Sequence, residues 1–187
     1  VSEDGELRDP FKKLTTVFQM SEEMFFLHYG KDGCNRHVLI DECRELFGEI
    51  YEQIPELPFC NIWTAMQLSS RLPKGALFHM GVSNTRRCWN MFQLPESVES
   101  ACNVGCCGID GCVSTLVGAS LVNPDRLCYV VVGDLTFFYD LNSLGNHHIG
   151  TNLRVMLVNN GRGTEFRFGI HHCNVFGDDA DKYMAAA

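Results

Sequence analysis

Two continuous apolar segments, separated by the length of one helix, constrain the fold of this chain more than any other feature. Residues 127–134 read LCYVVVGD and residues 153–160 read LRVMLVNN, and neither segment alternates between apolar and polar residues. The stretch between them, TFFYDLNSLGN (136–146), predicts a helix. Strands of this kind are buried on both faces, as in parallel sheets covered by helices. The pattern therefore predicts an α/β fold.

The rest of the chain continues the alternation of helices and strands. Strands are predicted at 76–80 and 98–103. Helices are predicted at 21–30, 34–53, 58–72, 83–92 and 113–122. Ser21 and Ser83 are the predicted N-caps of the first and fourth of these helices. We expect an open parallel sheet with helices on both faces, formed by residues 31–187 and incomplete at its C-terminus. We expect residues 1–30 to be the tail of a preceding domain and a linker.

Charge, hydropathy and cysteine usage exclude several classes of protein. The 187 residues carry a net charge of −8, which argues against a general nucleic-acid binder. No apolar run reaches the roughly 18 residues of a membrane span, so no membrane contact is predicted. The ten cysteines are scattered, and Cys43, Cys60 and Cys128 lie inside apolar patterns. This use of cysteine as a small hydrophobic residue predicts a reduced, cytoplasmic protein.

Polar residues mark the carboxyl end of each apolar strand. If the two strands are neighbours, their ends lie about 5 Å apart, which brings Asp134 close to Asn160. These oxygens and a backbone carbonyl beyond Asn160 are the hard ligands that Mg²⁺ prefers. A helix that begins near Thr136 points its N-terminus at the same edge, where it favours a diphosphate. The alternative is that both clusters are simple turns at strand ends.

At these residues the sequence resembles the thiamine diphosphate-dependent enzymes. The segment Gly133–Leu135, followed by Asn159 and Asn160, is similar to the metal–diphosphate motif of that family. Residues 103–120, NVGCCGIDGCVSTLVGAS, resemble the Asn-Arg-Gly-x-x-Gly-Ile-Asp-Gly loop of the family's synthase of menaquinone biosynthesis. The similarity extends over about 75–168 and, more weakly, over 1–30, where DGELRDPFKKLT resembles the end of the family's middle domain.

The resemblance implies roles for individual residues. Asp134 and Asn160 would bind Mg²⁺ (or Mn²⁺) through their side chains, and Arg162 would bind it through its backbone oxygen. The cofactor-binding residues implied for thiamine diphosphate are Gly108, Ile109, Gly133, Asp134, Leu135, Thr136 and Asn160. The residues implied on the substrate side are Ser83 and Arg87, near the substrate carboxylates, and Glu165 and Phe166, in the pocket wall.

Departures from the synthase pattern fall on the substrate side. Val104 stands where the synthase has an arginine, which removes a bidentate carboxylate clamp. Cys106 and Cys107 replace a small residue and a serine, and Arg162 and Glu165 stand where the synthase has a glycine and an apolar residue. These changes predict a paralogue that keeps the cofactor and has a different acceptor, or none.

The resemblance implies the diphosphate- and Mg-binding domain of a 2-oxoacid decarboxylase or carboligase, a transferase with a small-molecule substrate. The glutamate that activates the cofactor would lie in a pyrimidine-binding domain of the same or a partner chain. We therefore expect no catalytic residue here, an inactive fragment and a homo-oligomeric parent. Two alternatives remain, namely a separate small subunit of a two-chain 2-oxoacid decarboxylase and a non-enzymatic α/β module with a degenerate site.

Clusters of cysteine and histidine offer weaker interpretations. The cysteines at 102, 106, 107 and 112 lack the paired C-x-x-C spacing of a zinc site. The adjacent histidines at 147–148 and 171–172 point in different directions on a regular backbone, so solvated or capping roles are favoured over a site.

Overall fold

A computed structural model of the chain describes residues 1–30 and 38–184. The chain divides into two compact units, Val1–Pro55 and Glu56–Ala187. The predicted start of the second helix, at 34–37, and the last three residues lie outside the described residues.

The first unit contains two helices, α1 (Glu22–Tyr29) and α2 (Val38–Glu52). The predicted cap of α1 is confirmed, because the hydroxyl of Ser21 accepts a hydrogen bond from the Met24 backbone N–H at 3.3 Å. This bond satisfies one of the amide groups that a helix N-terminus leaves without an intrahelical partner.

The second unit alternates helices and strands as the sequence predicts. Its elements are α3 (Asn61–Leu68), β1 (Leu77–Met80), α4 (Asn84–Trp89), β2 (Glu99–Cys102), α5 (Cys112–Val122), β3 (Cys128–Gly133), α6 (Asp134–Asp140), β4 (Leu153–Val158) and α7 (Asp181–Met184). Short 3-10 segments lie at Ser69–Arg71, Leu141–Gly145, Thr164–Arg167 and His172–Ala180.

The four strands form one parallel sheet in the order β2-β1-β3-β4. Met80 of β1 pairs with Val131, and Gly133 at the end of β3 pairs with Val158 at the end of β4. The predicted α/β fold is therefore confirmed, and the two long apolar strands are neighbours, which is the condition for bringing Asp134 close to Asn160.

Helix α5 covers the centre of one face of the sheet. The buried core on this face consists of Cys112, Val113, Leu116 and Val117 from α5 together with Cys128, Val130 and Val132 from β3. Because β3 is a central strand, its alternate side chains contact the two faces in turn. Its lack of alternation follows from this burial on both faces.

Local details of β4, α6, α4 and Ser83 differ from the predictions. The prediction that β4 is fully buried is wrong, because β4 pairs only with β3 among the described strands, and its Arg154 and Leu157 are exposed. Helix α6 begins at Asp134 rather than near residue 136, and its predicted last turns form a 3-10 segment. Helix α4 is shorter than predicted, and Ser83 makes no side-chain capping bond because its backbone has a φ of +59°.

The nine cysteines among the described residues are free thiols. Cys112 and Cys128 are fully buried, and burial raises the pKa of both thiols above the ordinary value. Cys128 therefore behaves as the predicted small hydrophobic residue, whereas Cys43 is exposed, so the prediction for it is wrong. No helix in the described ranges is long and apolar enough to cross a lipid bilayer.

Candidate functional site

The carboxyl ends of β3 and β4 form one edge of the sheet, where the chain turns twice. Asp134 follows β3 directly, and Asn160 lies two residues beyond the end of β4. The backbone N–H of Gly161 donates a hydrogen bond of 2.7 Å to Oδ2 of Asp134. This bond joins the two turns, so the polar residues after both strands lie at one place.

The Asp134 carboxylate is buried, with 3% of the residue exposed. Its Oδ1 accepts the Leu135 backbone N–H at 2.8 Å, so each of its two oxygens receives one backbone donor. A carboxylate offers about four acceptor positions, which leaves lone pairs on both oxygens for a cation. Asp134 lies in the first turn of α6.

The turn after β4 presents two further oxygen donors. Oδ1 of Asn160 accepts the Arg162 backbone N–H at 3.1 Å. The backbone oxygen of Arg162 in turn accepts the Thr164 backbone N–H at 3.0 Å. Gly161 between them has a φ of +62°, a conformation that glycine adopts without steric cost. Asn160 and Arg162 are both exposed residues.

The donor set at this edge fits a magnesium ion. A carboxylate, an amide oxygen and a backbone carbonyl are hard ligands, and Mg²⁺ combines a few of these with water and phosphate oxygens. A Cβ added to Gly133 would meet no atom within 4 Å, so the space beyond the end of β3 is open. The described part of the chain holds no group of three or more His, Cys, Asp or Glu side chains that could bind a metal ion.

The glycine-rich loop lies at the same edge, because it follows parallel strand β2. Gly108 and Ile109 are partly buried in it, and a Cβ on Gly108 would come within 2.5 Å of the Asp110 carboxylate. The loop ends at Gly111, whose φ of +84° leads the chain into α5. Leu135 and Thr136, the other residues predicted to bind cofactor, occupy the first turn of α6, where Thr136 is buried.

Arg87 and Glu165, two residues predicted on the substrate side, pair with each other. Nη2 of Arg87 lies 3.2 Å from Oε1 of Glu165, and Nη1 donates to Oε2, which makes the pair bidentate. The hydrogen bond to Glu165 raises the pKa of Arg87 above its ordinary value. The Arg87 and Glu165 side chains are 49% and 33% exposed, so their pairing contributes only about 0–1 kcal/mol to stability.

Neighbouring residues join α4 to the segment after β4. Nδ2 of Asn84 donates to Oγ1 of Thr164 at 2.6 Å. The Arg87 guanidinium also lies 5.3 Å from the ring centre of Phe168, a cation–π distance. The remaining predicted residues, Ser83 and Phe166, are partly buried, and the Phe166 ring packs edge-to-face on His171 at 5.1 Å.

Two features of this edge escape the sequence analysis. Asn84 and Thr164 form their bond although nothing in the sequence distinguishes them from other polar loop residues. His79 is 4% exposed, and its Nε2 finds no hydrogen-bond partner among the described residues. Burial lowers the pKa of His79, and a hydrogen bond with Asn103 opposes that change. A histidine inside the apolar segment ALFHM is the signal that could have identified this site.

The clusters of cysteine and histidine have ordinary structural roles where the structure shows one. His171 caps the 3-10 segment at His172–Ala180, since its Nδ1 accepts the Cys173 backbone N–H at 3.1 Å. This confirms the predicted capping role. His147 and His148 are exposed, and their rings lie 3.9 Å apart.

Comparison with known proteins finds relatives over most of the chain. The chain is 37% identical over 172 residues to a 2-succinyl-5-enolpyruvyl-6-hydroxy-3-cyclohexene-1-carboxylate synthase of Bacteroides fragilis. The matched region covers 89% of this chain and 30% of that relative. The synthase of the same name from Bacteroides thetaiotaomicron is 36% identical over 168 residues, with the same coverage. The one from Christiangramia forsetii is 38% identical over 116 residues, or 62% of this chain and 20% of that relative.

No protein-family model matches the chain. The chain spans less than a third of the length of the curated relatives that it matches. These relatives confirm the resemblance drawn from the motifs at 103–120, 133–135 and 159–160. The sequence resemblance is to a synthase among the thiamine diphosphate-dependent enzymes, and the relatives are synthases of this type. The chain is therefore homologous to a part of the 2-succinyl-5-enolpyruvyl-6-hydroxy-3-cyclohexene-1-carboxylate synthases.

Proposed function

We propose that this chain is the C-terminal diphosphate- and Mg-binding domain of a thiamine diphosphate-dependent 2-oxoacid decarboxylase or carboligase. The parent enzyme would be of the 2-succinyl-5-enolpyruvyl-6-hydroxy-3-cyclohexene-1-carboxylate synthase type, a transferase of menaquinone biosynthesis. The identity of 36–37% over 89% of the chain supports this proposal.

One observation carries the proposal, namely the bond between the Gly161 backbone N–H and the buried Asp134 carboxylate. It brings the turn after β3 and the turn after β4 together at the carboxyl edge of the sheet. Open parallel sheets bind their ligands at this edge. A cation bound there would offset the cost of burying the Asp134 carboxyl group.

Some residues at this edge would bind the metal ion, and others would bind the cofactor. Asp134, Asn160 and the backbone oxygen of Arg162 would hold Mg²⁺, and Mn²⁺ would fit the same oxygen donors. The segment Gly133–Thr136 would line the diphosphate, and Gly108 with Ile109 would hold the pyrimidine half of the cofactor. When bound, thiamine diphosphate supplies a stabilised carbanion equivalent for reactions of 2-oxoacids.

The rest of the active site would come from outside this chain. A pyrimidine-binding domain of the same polypeptide, or of a partner copy in a homo-oligomer, would supply the activating glutamate. Ser83, Arg87, Glu165 and Phe166 would lie on the side of the small-molecule 2-oxoacid substrate. The changes at Val104, Cys106, Cys107, Arg162 and Glu165 support an acceptor that differs from that of the relatives. The free thiols support a reducing compartment, such as the cytoplasm.

The alternative of a separate small subunit has less support. In each of the relatives compared here, the matching region is 20–30% of one longer polypeptide. A non-enzymatic module with a degenerate site is opposed by the intact donor set, since Asp134 and Asn160 are both present and their oxygens have unused acceptor positions.

Calorimetry tests the proposal directly. The chain is titrated with thiamine diphosphate in the presence of Mg²⁺, and we expect saturable binding that disappears in EDTA. Asp134→Asn keeps the size of the side chain and removes its charge, so we expect at least a tenfold loss of affinity, or about 1.4 kcal/mol.

The matched control is Asp125→Asn. Asp125 is exposed and precedes β3, so it lies at the opposite edge of the sheet. We expect wild-type affinity in this variant. Equal affinities in the wild type and Asp134→Asn, or no binding to a folded wild-type chain, would contradict the proposal.

A further inference from the structure

The guanidinium of Arg87 pairs with a carboxylate of the chain itself. Both terminal nitrogens of Arg87 pair with Glu165, with Nη2 at 3.2 Å from Oε1. The planar fork of an arginine matches any carboxylate in this way, whether it belongs to a side chain or to a ligand. Glu165 therefore fills the position that a bound carboxylate would take.

We propose that Glu165 is a built-in competitor for Arg87, which a substrate carboxylate displaces when it binds. The inference rests on the proposed function, which places Arg87 on the substrate side, and it adds a residue that sets the affinity of that site for carboxylates. Glu165 would act through Arg87 and would not touch the reacting atoms. Each carboxylate substrate would have to displace Glu165, so its apparent affinity for Arg87 would be lower than without this pairing.

The exposure of the pair makes displacement feasible. The Arg87 side chain is 49% exposed and the Glu165 side chain 33% exposed, so a small anion reaches the pair from solvent. Water also screens the attraction between exposed charges and hydrates a carboxylate that is released. A buried pair would lack this exchange, because the freed carboxylate would remain unpaired in a low dielectric.

The segment that carries Glu165 has anchors of its own. Thr164 is held by Asn84 at 2.6 Å, on one side of Glu165. On the other side, Arg167 donates to Asp178 at 3.0 Å and also pairs with Asp181. Glu165 can therefore leave Arg87 by a side-chain rotation while the backbone of 164–167 stays in place.

Solution NMR of the full 187-residue chain tests this inference with succinate as the probe. The Nε–Hε signal of Arg87 reports whatever carboxylate the guanidinium binds. We expect Glu165→Gln to lower the apparent Kd for succinate about three- to fivefold relative to wild type, the range expected for release of an exposed ion pair. Glu165→Ala repeats the comparison without an amide in case Glu165→Gln does not fold.

The matched control is Asp178→Asn, which removes one negative charge from the same region without touching Arg87. Asp178 is 98% exposed, and Arg167 keeps Asp181 as a partner. An unchanged Kd in both Glu165 variants would overturn the inference and leave the pair as a structural contact. Equal tightening in Asp178→Asn, or no shift of Arg87 in any variant, would overturn it as well.

This experiment needs no thiamine diphosphate, so its failure is distinguishable from failure of the proposed function. If calorimetry shows no cofactor binding while Glu165→Gln tightens succinate binding, the proposed function fails and the competition at Arg87 stands. If cofactor binds as expected and succinate affinity does not change, only the role of Glu165 fails.

Discussion

Individual buried polar residues carry most of the functional information in this chain. Asp134 is the clearest case, since its carboxylate is buried and receives backbone donors from both sides of the candidate site. Its position at a strand end could be predicted from the sequence, because apolar runs locate the strand and Gly-Asp marks its end. The donor from Gly161 could not be predicted, since it depends on the register between β3 and β4.

His79 supports a prediction about pH. Burial lowers the pKa of its imidazole in the folded chain, so the unfolded chain takes up the proton first, near the ordinary value of about 6.5. Protonation therefore favours unfolding, and stability should fall as the pH drops below about 6.5 towards the lower folded pKa. We expect His79→Leu to flatten this part of the profile, measured by urea denaturation between about pH 7.5 and 5.

The control for this measurement is His172→Gln, which removes an exposed histidine. Its profile should follow that of the wild type. A wild-type stability that does not change over this range, or one that falls equally in His79→Leu, would show that His79 is not the group responsible.

At the scale of elements, one glycine at the start of α5 and one inside it test how the helix is built. Gly111 precedes α5 with a φ of +84°, whereas Gly118 lies inside the helix, exposed, with open space where a Cβ would stand. We expect Gly111→Ala to destabilise the chain by about 1–2 kcal/mol, because a left-handed backbone conformation strains any residue with a Cβ. We expect Gly118→Ala to stabilise it by about 0.5–1 kcal/mol.

Chemical denaturation of the two variants measures both effects. Each change adds one methyl group at a glycine beside or within α5, so the two variants control each other for side-chain size. Shifts of the same sign would mean that backbone conformation does not decide the cost at these positions, and that the account of the entry into α5 is wrong.

The elements themselves could be predicted to different degrees. Apolar residues at helical spacing located α3, and continuous apolar runs located β1 and β3, because strands buried on both faces need no polar side. The ends of α4 and α6 could not be placed, because they depend on tertiary contacts and backbone conformation. Ser83 illustrates this, since its type favours a helix cap while its φ of +59° accompanies a different turn.

At the scale of the whole molecule, the parallel topology explains why distant motifs share one edge. Residues after β1, β2, β3 and β4 all emerge at the carboxyl end of the sheet, because every pair of neighbouring strands is parallel. This places Arg87, the glycine-rich loop, Asp134 and Asn160 at the same edge. The strand pattern predicted that arrangement, but the pairing of Arg87 with Glu165 required the structure.

The exposure of β4 could not be predicted either, since an apolar strand has the same sequence pattern whether or not it has a second neighbouring strand. Leu157 is 39% exposed although its strand is almost entirely apolar.

We propose that the turns after β3 and β4 hold one divalent cation together with a diphosphate. The most direct measurement replaces Mg²⁺ by Mn²⁺, whose unpaired electrons broaden nearby NMR signals, in the presence of thiamine diphosphate. We predict that the backbone signals of 133–136 and 160–162 disappear first. The signals of 124–126, at the other end of β3 and about 20 Å away by strand geometry, should persist. Signals at 133–136 that survive as long as those at 124–126, or broadening centred on another part of the chain, would contradict the account.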